Sequence, residues 1–311
     1  MMKARLIQIR LEAEGVHAYR FAALPGQTLP AFEAGAHVNV TLDGSLARSY
    51  SLLNDPAEAS YYDIAVHLAP DSKGGSRYIH ENWRVGLVVE MSEPSNNFPL
   101  EEGAAHSVLI AGGIGITPML SMMARLETLG RSWELHYVAQ SQERAAFCEA
   151  LAGRDNVHVQ FDGIEGGQPL DLKGIVQGAP KEAHLYCCGP QGMLDAYKGF
   201  AQGRPAEHVH LEYFTADTQI ATEGGFVVEL AKSGKAVEVK EGERILDVLL
   251  EQGVDVSFAC SEGTCGTCET RVISGTPDHR DFFLTDDEKA SGQMMMVCCS
   301  GCKSDRLVLD L

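Results

Sequence analysis

The sequence predicts a multidomain protein: an antiparallel β-barrel, then an α/β domain with a doubly wound parallel sheet, then a small α+β domain. The first hundred residues contain short strand-like runs, strands and helices alternate from about residue 105, and the C-terminal segment is rich in cysteine. A chain of 311 residues is too long for one small core. We therefore expect three domains, at 1–102, 103–216 and 224–311.

Short strands separated by turn-forming residues characterise the first hundred residues. The clearest runs lie between Gly, Pro, Asp and Asn residues, at 36–42, 48–53, 61–68 and 86–92. One short helix is predicted near 76–83. Short strands with such boundaries are typical of an all-β barrel or sandwich.

An unbroken apolar run at 107–111 marks the change to a second architecture, because such a run indicates a strand buried on both faces. Further strands are predicted at 133–139, 156–161, 184–188 and 208–214. The helices between them are predicted at 117–129, near 143–151, near 172–177 and after Pro190. Strands that alternate with helices predict a parallel, doubly wound sheet.

Charge and hydropathy exclude two classes of partner. The net charge is −18, so the chain lacks the basic footprint of a nucleic-acid-binding protein. No stretch reaches the ~20 apolar residues that cross a membrane. The N-terminal run carries charges inside its apolar stretch, unlike a signal peptide. We expect a cytoplasmic, monomeric protein that binds neither nucleic acid nor membrane.

The cysteines carry the strongest chemical signal. Six of the nine lie between Cys260 and Cys302, after a polar linker at 215–224, two strand-like runs and a helix at 244–253. Cys260, Cys265 and Cys268 have the spacing C-x4-C-x2-C, and Cys298 follows after 29 residues. This is the pattern of plant-type 2Fe–2S clusters. These four thiolates are predicted to hold such a cluster.

Alternatives to this cluster fit the sequence less well. A zinc site of four cysteines usually uses two closely spaced pairs, whereas only one end of this pattern is closely spaced. Disulfides are disfavoured in the cytoplasm. Cys299 and Cys302 also lie near the fourth ligand position, but Cys298 matches the spacing best, and the other two are interpreted as bystanders.

Two glycine-rich turns predict a dinucleotide site. The first, GGIGITPM, follows the buried strand and opens a helix, so that Gly112, Gly113 and Gly115 let the backbone approach a pyrophosphate. The second, CCGPQGML, follows another predicted strand. Ligands of such sheets bind at the carboxyl ends of strands, and the two turns together fit one nicotinamide dinucleotide.

The second turn supplies Cys188, Gly189 and Pro190. Cys188 is predicted to lie against the nicotinamide; the alternative is that it is only a small residue that fits a tight turn. Near the end of strand 133–139 the only cation is Arg144, with Glu143 beside it. A 2′-phosphate requires a basic pocket there, so NADH is favoured over NADPH.

The motif RSYSLLN at 48–54 is a candidate flavin site in the β-rich domain. Arg48 offers a fork of donors to a phosphate, Tyr50 can cover a ring face, and Ser51 can donate a hydrogen bond to a ring nitrogen. By itself the motif is weak, because a strand with one Arg and one Tyr is common.

Taken in order, RSYSLLN, GGIGITPM, CCGPQGML and CSEGTCGTC…VCCSGCKSDRLVLDL resemble the phthalate dioxygenase reductase family, which includes vanillate O-demethylase reductases, over essentially the whole chain. The resemblance implies an FMN-binding barrel, an NADH domain and a β-grasp ferredoxin domain. It also implies a set of residues around FMN: Arg48, Ser49, Tyr50, Ser51, His67, Leu68, Gly75, Ser76, Thr117 and Phe214. Ser51, Thr117, Cys188 and Phe214 are the candidates for the reaction centre.

The resemblance implies an NADH-dependent iron–sulfur flavoprotein reductase. It would pass electrons from NADH through FMN and the cluster to a separate Rieske-type oxygenase, whose identity sets the final substrate. The alternatives are a stand-alone electron carrier, which the intact glycine-rich turns disfavour, and a redox sensor that uses the cluster and the spare thiols.

Overall fold

The structure is a computed structural model, and it describes residues 1–43, 46–70, 74–214, 220–258 and 260–311. The chain divides into two compact units, Met1–Phe214 and Thr215–Leu311. The first unit contains a six-stranded antiparallel sheet and a five-stranded parallel sheet, and the second contains a five-stranded mixed sheet and a two-stranded sheet. The predicted boundary at residue 102 falls inside the first unit.

The antiparallel sheet has the strand order β4-β3-β6-β1-β2-β5. Its strands are β1 (Met2–Ala13), β2 (Val16–Ala23), β3 (His37–Asp43), β4 (Leu46–Ser51), β5 (Tyr61–His67) and β6 (Val88–Met91). Helix α1 (Gly75–Asn82) lies between β5 and β6. Just beyond β4, the Leu53 N–H donates to the Asp63 carbonyl in β5 at 3.0 Å, which connects the two ends of the sheet. The four strand-like runs and the helix are confirmed here, whereas β1 and β2 were not among them.

Burial alternates along β1 and β6, as expected when one face of a strand covers a core, whereas β5 is buried continuously from Tyr62 to Val66. In β1, Ala4 and Leu6 are fully buried while their neighbours are exposed. Trp83, directly after α1, packs edge-to-face on Tyr19 and Phe21 at ring-centroid distances of 5.3 and 5.6 Å. The helix therefore covers the barrel core.

The parallel sheet has the strand order β11-β10-β7-β8-β9. Its strands are β7 (His106–Gly112), β8 (Ser132–Ala139), β9 (Val157–Phe161), β10 (His184–Cys188) and β11 (Val209–Glu212). Its helices are α2 (Ile116–Thr128), α3 (Cys148–Leu151), α4 (Leu172–Gly178) and α5 (Gln191–Phe200). The central strand β7 is completely buried from Val108 to Ala111, as its unbroken apolar run predicts.

The helix predicted near 143–151 is wrong in extent. The structure has a 3₁₀ turn at Gln142–Arg144 and only a four-residue helix, α3, from Cys148. Phe147 has a left-handed backbone with φ 64°, which an α-helix cannot contain. The Glu143 carbonyl instead accepts from the Glu14 N–H of the barrel at 2.8 Å. A contact distant in sequence therefore competes with the local helix.

The two sheets of the first unit share one apolar core. Leu53 and Phe98 from the barrel side pack in the same buried cluster as Met119 and Met122 of α2. Two hydrogen bonds accompany this packing. The Gly35 N–H donates to Ser121 Oγ at 3.2 Å, and the Glu101 N–H donates to Tyr186 Oη at 2.8 Å.

The second unit is a β-grasp-like arrangement of a mixed sheet with one packed helix. Its strands are β12 (Phe226–Leu230), β13 (Ala236–Val239), β14 (Glu269–Ser274), β15 (Pro277–Asp278), β16 (Met294–Met296), β17 (Gly301–Cys302) and β18 (Arg306–Leu309). Its helices are α6 (Ile245–Glu251) and α7 (Asp286–Ser291). The buried face of α6 packs on the sheet through Leu246 and Leu249. Strand β12 pairs with β18 in parallel and with β13 antiparallel.

Candidate cofactor-binding sites

The two glycine-rich turns predicted from the sequence meet at the carboxyl edge of the parallel sheet. A Cβ atom at Gly115 would collide with the Cys188 carbonyl, and one at Gly112 would lie 2.7 Å from Pro190 Cδ. The turn Gly113–Gly115 also lies against β5 of the barrel. Glycine is therefore required where the turn after β7 packs against the turn after β10.

Helix α2 starts directly after the first turn. The Thr117 hydroxyl is buried and donates to the Ile114 carbonyl at 3.0 Å, so this side chain fixes the turn. Among the described residues no side chain caps the helix at Gly115, and its first turn carries no acidic residue. Its N-terminus thus keeps the positive potential that suits a pyrophosphate.

Cys188 lies at the end of β10 and is fully buried. It pairs in register with Glu212 at the end of β11. Burial raises the pKa of the Glu212 carboxyl to about 8, and its Oε2 atom is buried with no hydrogen-bond partner among the described residues. The sequence analysis did not identify Glu212, because it adjoins the second glycine-rich turn only in space and its one local signal is an acidic residue near the end of the predicted strand 208–214.

The motif RSYS forms the end of β4. Its pairing with β3 sets Tyr50 opposite Val38, and Ser51 opposite His37. Arg48 and Tyr50 therefore point to one face of the strand, and Ser49 and Ser51 to the other. The Ser49 hydroxyl donates to Asn39 Oδ1 at 2.6 Å.

Ser51 differs from its neighbour Ser49. Its Oγ atom is buried and has no hydrogen-bond partner in the described part of the chain. A buried hydroxyl without a partner costs free energy, so such a group indicates a missing acceptor or donor. A flavin ring atom is of the right chemistry to fill that role.

A candidate phosphate cradle lies between β4 and α1. A Cβ atom at Gly75 would lie 2.9 Å from Arg48 Nε, so the guanidinium group rests on the first turn of the helix. Gly74 precedes this helix, and the first turn of the helix has no acidic residue. A cation beside a helix N-terminus fits a phosphate. The residues present therefore fit a flavin mononucleotide.

The remaining residues predicted around the flavin lie at the ends of elements. His67 ends β5 and is exposed, and Leu68, which follows it, is 39% exposed. Ser76 lies in the first turn of α1, where its Oγ accepts from the Ala69 N–H at 3.3 Å. Phe214 is the last residue of the first unit and packs against the core shared by the two sheets.

The cysteine loop precedes β14. The Glu262 and Thr264 N–H groups point at Cys260 Sγ at 3.4 Å each, and the Cys260 N–H points at Cys265 Sγ at 3.5 Å. Such N–H groups stabilise the thiolates of an iron–sulfur cluster. Gly263 and Gly266 have φ values of 75° and 73°, so the loop bends where the sequence predicted glycine to be needed.

The fourth-ligand region lies next to this loop. Cys298 and Cys299 are both buried, and a Cβ at Gly263 would lie 2.5 Å from Cys299 Sγ. Cys302 points elsewhere, since its thiol donates to the Ser304 carbonyl at 3.0 Å. The structure thus brings Cys299 as well as Cys298 to the loop, and the assignment of Cys298 stays a prediction.

The sulfur atoms do not gather as a mononuclear zinc site requires. Four thiolates at 2.3 Å from one zinc ion are about 3.8 Å apart. Within the described ranges, the only group of three or more ligand atoms lying within 4.8 Å of one another contains no cysteine.

Comparison with known proteins agrees with this geometry. Residues 228–303 match the family model of the 2Fe-2S iron-sulfur cluster binding domain. Phthalate dioxygenase reductase, described as a modular structure for electron transfer from pyridine nucleotides to [2Fe-2S], is similar in structure with a TM-score of 0.79 and 38% identity. The match covers 100% of this chain and 98% of that one. The chain belongs to the phthalate dioxygenase reductase family.

Two curated relatives extend the comparison. The phenoxybenzoate dioxygenase subunit beta of Ectopseudomonas oleovorans is 50% identical over 99% of this chain and 96% of its own length. The tetrachlorobenzoquinone reductase of Sphingobium chlorophenolicum is 45% identical over 98% and 96%. Membership of the phthalate dioxygenase reductase family confirms the predicted fold classes, the three cofactors FMN, NADH and a 2Fe–2S cluster, and the activity of an NADH-dependent iron–sulfur flavoprotein reductase.

Among the described residues, none of the helices combines the length and apolar character that a membrane span needs.

Proposed function

We propose that this protein is the monomeric reductase component of a two-component oxygenase system, and that its acceptor is a Rieske-type oxygenase. One observation carries the proposal. Within one compact unit, the two glycine-rich turns touch each other and the first lies against the flavin barrel. The relative from Ectopseudomonas oleovorans bears the name of a dioxygenase subunit, which supports the acceptor class.

The chain's own residues divide the work of binding and orientation. Arg48, Gly75 and the N-terminus of α1 hold the flavin phosphate, and Tyr50 covers the ring. The Ser51 hydroxyl, which has no partner in the described part of the chain, donates a hydrogen bond to the ring. His67, Leu68, Ser76 and Ser49 complete the flavin side.

The pyridine nucleotide binds across the two glycine-rich turns. Gly112 and Gly115 let the first turn pack directly against Cys188, Gly189 and Pro190 of the second turn, and Gly113, which has open space around it, lets the pyrophosphate approach the backbone. Thr117 fixes the first turn, and Cys188 with Phe214 adjoins the place where the rings react. A bound flavin would supply two-electron acceptance from NADH and one-electron release, and Cys260, Cys265, Cys268 and Cys298 would hold the cluster that receives those electrons.

NADH is the proposed reductant rather than NADPH. Arg144, the cation near the end of β8, donates to Gln140 Oε1 at 2.6 Å and to Glu14 Oε2 at 3.3 Å. Both side chains of the Arg144–Glu14 pair are more than half exposed, so this ion pair contributes little to stability. It nevertheless orients the Arg144 guanidinium towards acceptors of the protein itself. A 2′-phosphate would have to compete with Glu14.

The test is reduction of cytochrome c by the purified holoprotein. We expect bleaching of the flavin and cluster absorbance by stoichiometric NADH, turnover with cytochrome c, and at least tenfold lower kcat/KM with NADPH. Extraction should release FMN. A colourless protein, or one that oxidises NADH without reducing cytochrome c, would refute the proposal.

A second candidate acceptor is a quinone, because one full-length relative is named as a tetrachlorobenzoquinone reductase. The two acceptors differ in their need for a partner protein. The rate of reduction of a halogenated benzoquinone can be measured with no partner protein present. A rate equal to that of flavin reduction by NADH would favour this second candidate. Slow quinone reduction beside rapid reduction of a Rieske oxygenase would favour the first.

A further inference from the structure

Two histidines and a glutamate converge on β8 and β9, at the edge of the parallel sheet. Their ligand atoms, one each from Glu134, His136 and His158, all lie within 4.8 Å of one another. The His136 and His158 rings stack with centroids 4.9 Å apart, and His136 Nε2 lies 3.5 Å from Glu134 Oε1. No step of the proposed electron transfer uses this cluster.

The register of the strands produces this convergence. His136 of β8 pairs directly with His158 of β9, and in a parallel pair both side chains point to the same face. Glu134 precedes His136 by two residues and shares that face. The three side chains are therefore held by backbone hydrogen bonds rather than by a mobile loop.

A fourth histidine approaches from the next strand. His106 of β7 lies with its Nε2 atom 3.9 Å from Glu134 Oε1. Its Nδ1 is 2.9 Å from Ser132 Oγ. Histidine ligands of metal ions are commonly oriented by such a hydrogen bond from the ring nitrogen that does not bind the metal. His106, Glu134 and His136 line an open cleft of about 540 Å³ against helix α4. The cleft gives an ion and its water access to the cluster.

We propose that Glu134, His136 and His158 bind a divalent transition-metal ion of the zinc type. Two imidazoles and one carboxylate are a ligand set that zinc uses, with a fourth position left to water or to His106. Ligands at zinc's usual 2.0–2.1 Å distances are about 3.4 Å apart, close to the separation between His136 and Glu134.

The electrostatics of the site suit a cation. The His136 side chain is 16% exposed and lies against Glu134 and His158, so that a ring nitrogen can offer its lone pair to an ion at the cluster. The Glu134 carboxylate is about one-third exposed and supplies a negative charge. A simple histidine–glutamate hydrogen bond is the alternative, and it leaves the stacked His158 without a role.

The bound ion would join the edge strand β9 to β8. The cluster lies before the carboxyl ends of both strands and on the face covered by α4, whereas the glycine-rich turns contact each other at the carboxyl edge. Binding should therefore leave turnover of NADH unchanged.

The test is metal counting on the untagged holoprotein. Equilibrium dialysis against micromolar Zn²⁺, followed by elemental analysis, should give one zinc per wild-type chain beyond a full complement of cluster iron. His136→Ala and Glu134→Gln should lose that zinc, and so should His158→Ala, whose side chain is exposed and whose loss should not disturb folding. His208→Ala is the matched control, since it removes a histidine beside β11 instead, and should keep the zinc.

Equal zinc content in the wild type and the three site variants would overturn the proposal. Unchanged iron content and an unchanged visible spectrum show that each variant has folded and that zinc has not displaced the cluster. Because the readout is bound metal, failure of the site and failure of the oxygenase assignment remain separate results.

Discussion

At the scale of single residues, two buried polar groups without partners among the described residues are the candidates that we propose for the reaction centre. Ser51 Oγ and Glu212 Oε2 are both buried, and neither has a hydrogen-bond partner in the described parts of the chain. They lie in different sheets, at the ends of β4 and β11. A folded chain pays a free-energy penalty for such groups, which is recovered when a cofactor or substrate supplies the missing partner.

Ser51→Ala should slow flavin reduction by NADH roughly tenfold or more, because a hydrogen bond to a developing charge is worth about 1.5–3 kcal/mol. Stopped-flow absorbance with excess NADH measures this rate. Ser107→Ala is the control, since Ser107 Oγ is also buried and unpartnered within the described residues but lies in β7. Equal rates in the two variants would contradict a role for Ser51.

Glu212→Gln should change how stability depends on pH. The Glu212 carboxyl is held protonated in the folded chain up to a pKa of about 8, but ionises near its usual value when unfolded. The folded state thus binds the extra proton between about pH 4.5 and 8, and its free energy of unfolding falls as pH rises through that window. The free energy of unfolding of the Glu212→Gln variant should not fall in this way, because the variant has no carboxyl group at this position.

Thermal unfolding at a series of pH values measures this effect. The stability difference between Glu212→Gln and the wild type should be small at pH 4.5 and should grow up to about pH 8. Glu207→Gln, at an exposed position, should show no such trend. A difference that does not vary with pH would show that Glu212 is ionised in the folded protein.

At the scale of elements, close backbone packing decides which glycines matter. The turn after β7 touches the turn after β10, and Gly115 is the point of contact. Other glycines lie in open surroundings, such as Gly199 inside helix α5, where no atom would meet an added Cβ within 4 Å.

Gly115→Ala should therefore push the two turns apart and slow flavin reduction by about a hundredfold, since a displacement of roughly 1 Å can cost that much. The KM for NADH should rise as well. Gly199→Ala is the matched control. It should keep full activity and gain about 0.5–1 kcal/mol of stability, because alanine favours a helix more than glycine does. Wild-type kinetics in Gly115→Ala would show that the contact is not needed.

At the scale of the whole molecule, electron flow passes through two units with different cofactors. The flavin and nucleotide residues lie in Met1–Phe214, and all four predicted cluster ligands lie in Thr215–Leu311. The segment 224–311 contains nine basic and sixteen acidic residues. Its acidic surface should attract a partner with a basic patch, and salt should weaken that attraction.

Cys298→Ser should separate the reduction of cytochrome c, which needs the cluster, from the reduction of ferricyanide, which does not. Loss of a ligand should lower the iron content and abolish NADH-dependent reduction of cytochrome c, while reduction of ferricyanide, which the flavin can perform directly, should remain. Iron analysis and the two assays measure this. Cys302→Ser should behave as the wild type, because that thiol bonds to the Ser304 carbonyl. If Cys299→Ser, and not Cys298→Ser, loses the iron, the fourth ligand is Cys299.

Local sequence signals predicted most elements correctly, and the failures have a common cause. The unbroken apolar run of β7 and the glycine-rich turns are short-range patterns, and their predicted places agree with the structure. The helix predicted near 143–151 failed because the Glu14 N–H bonds to the Glu143 carbonyl from the barrel. Glu212 was missed because its burial depends on neighbours that are distant along the chain.

The sequence by itself determined the family, the cofactors and the cysteine loop, because spacing along the backbone limits which thiolates and which glycines can share one turn. Only the tertiary structure decided which groups are buried without partners, that the two glycine-rich turns touch, and that Glu134, His136 and His158 meet on one face. Those facts depend on strand register and on packing between segments far apart in sequence, which no local pattern encodes.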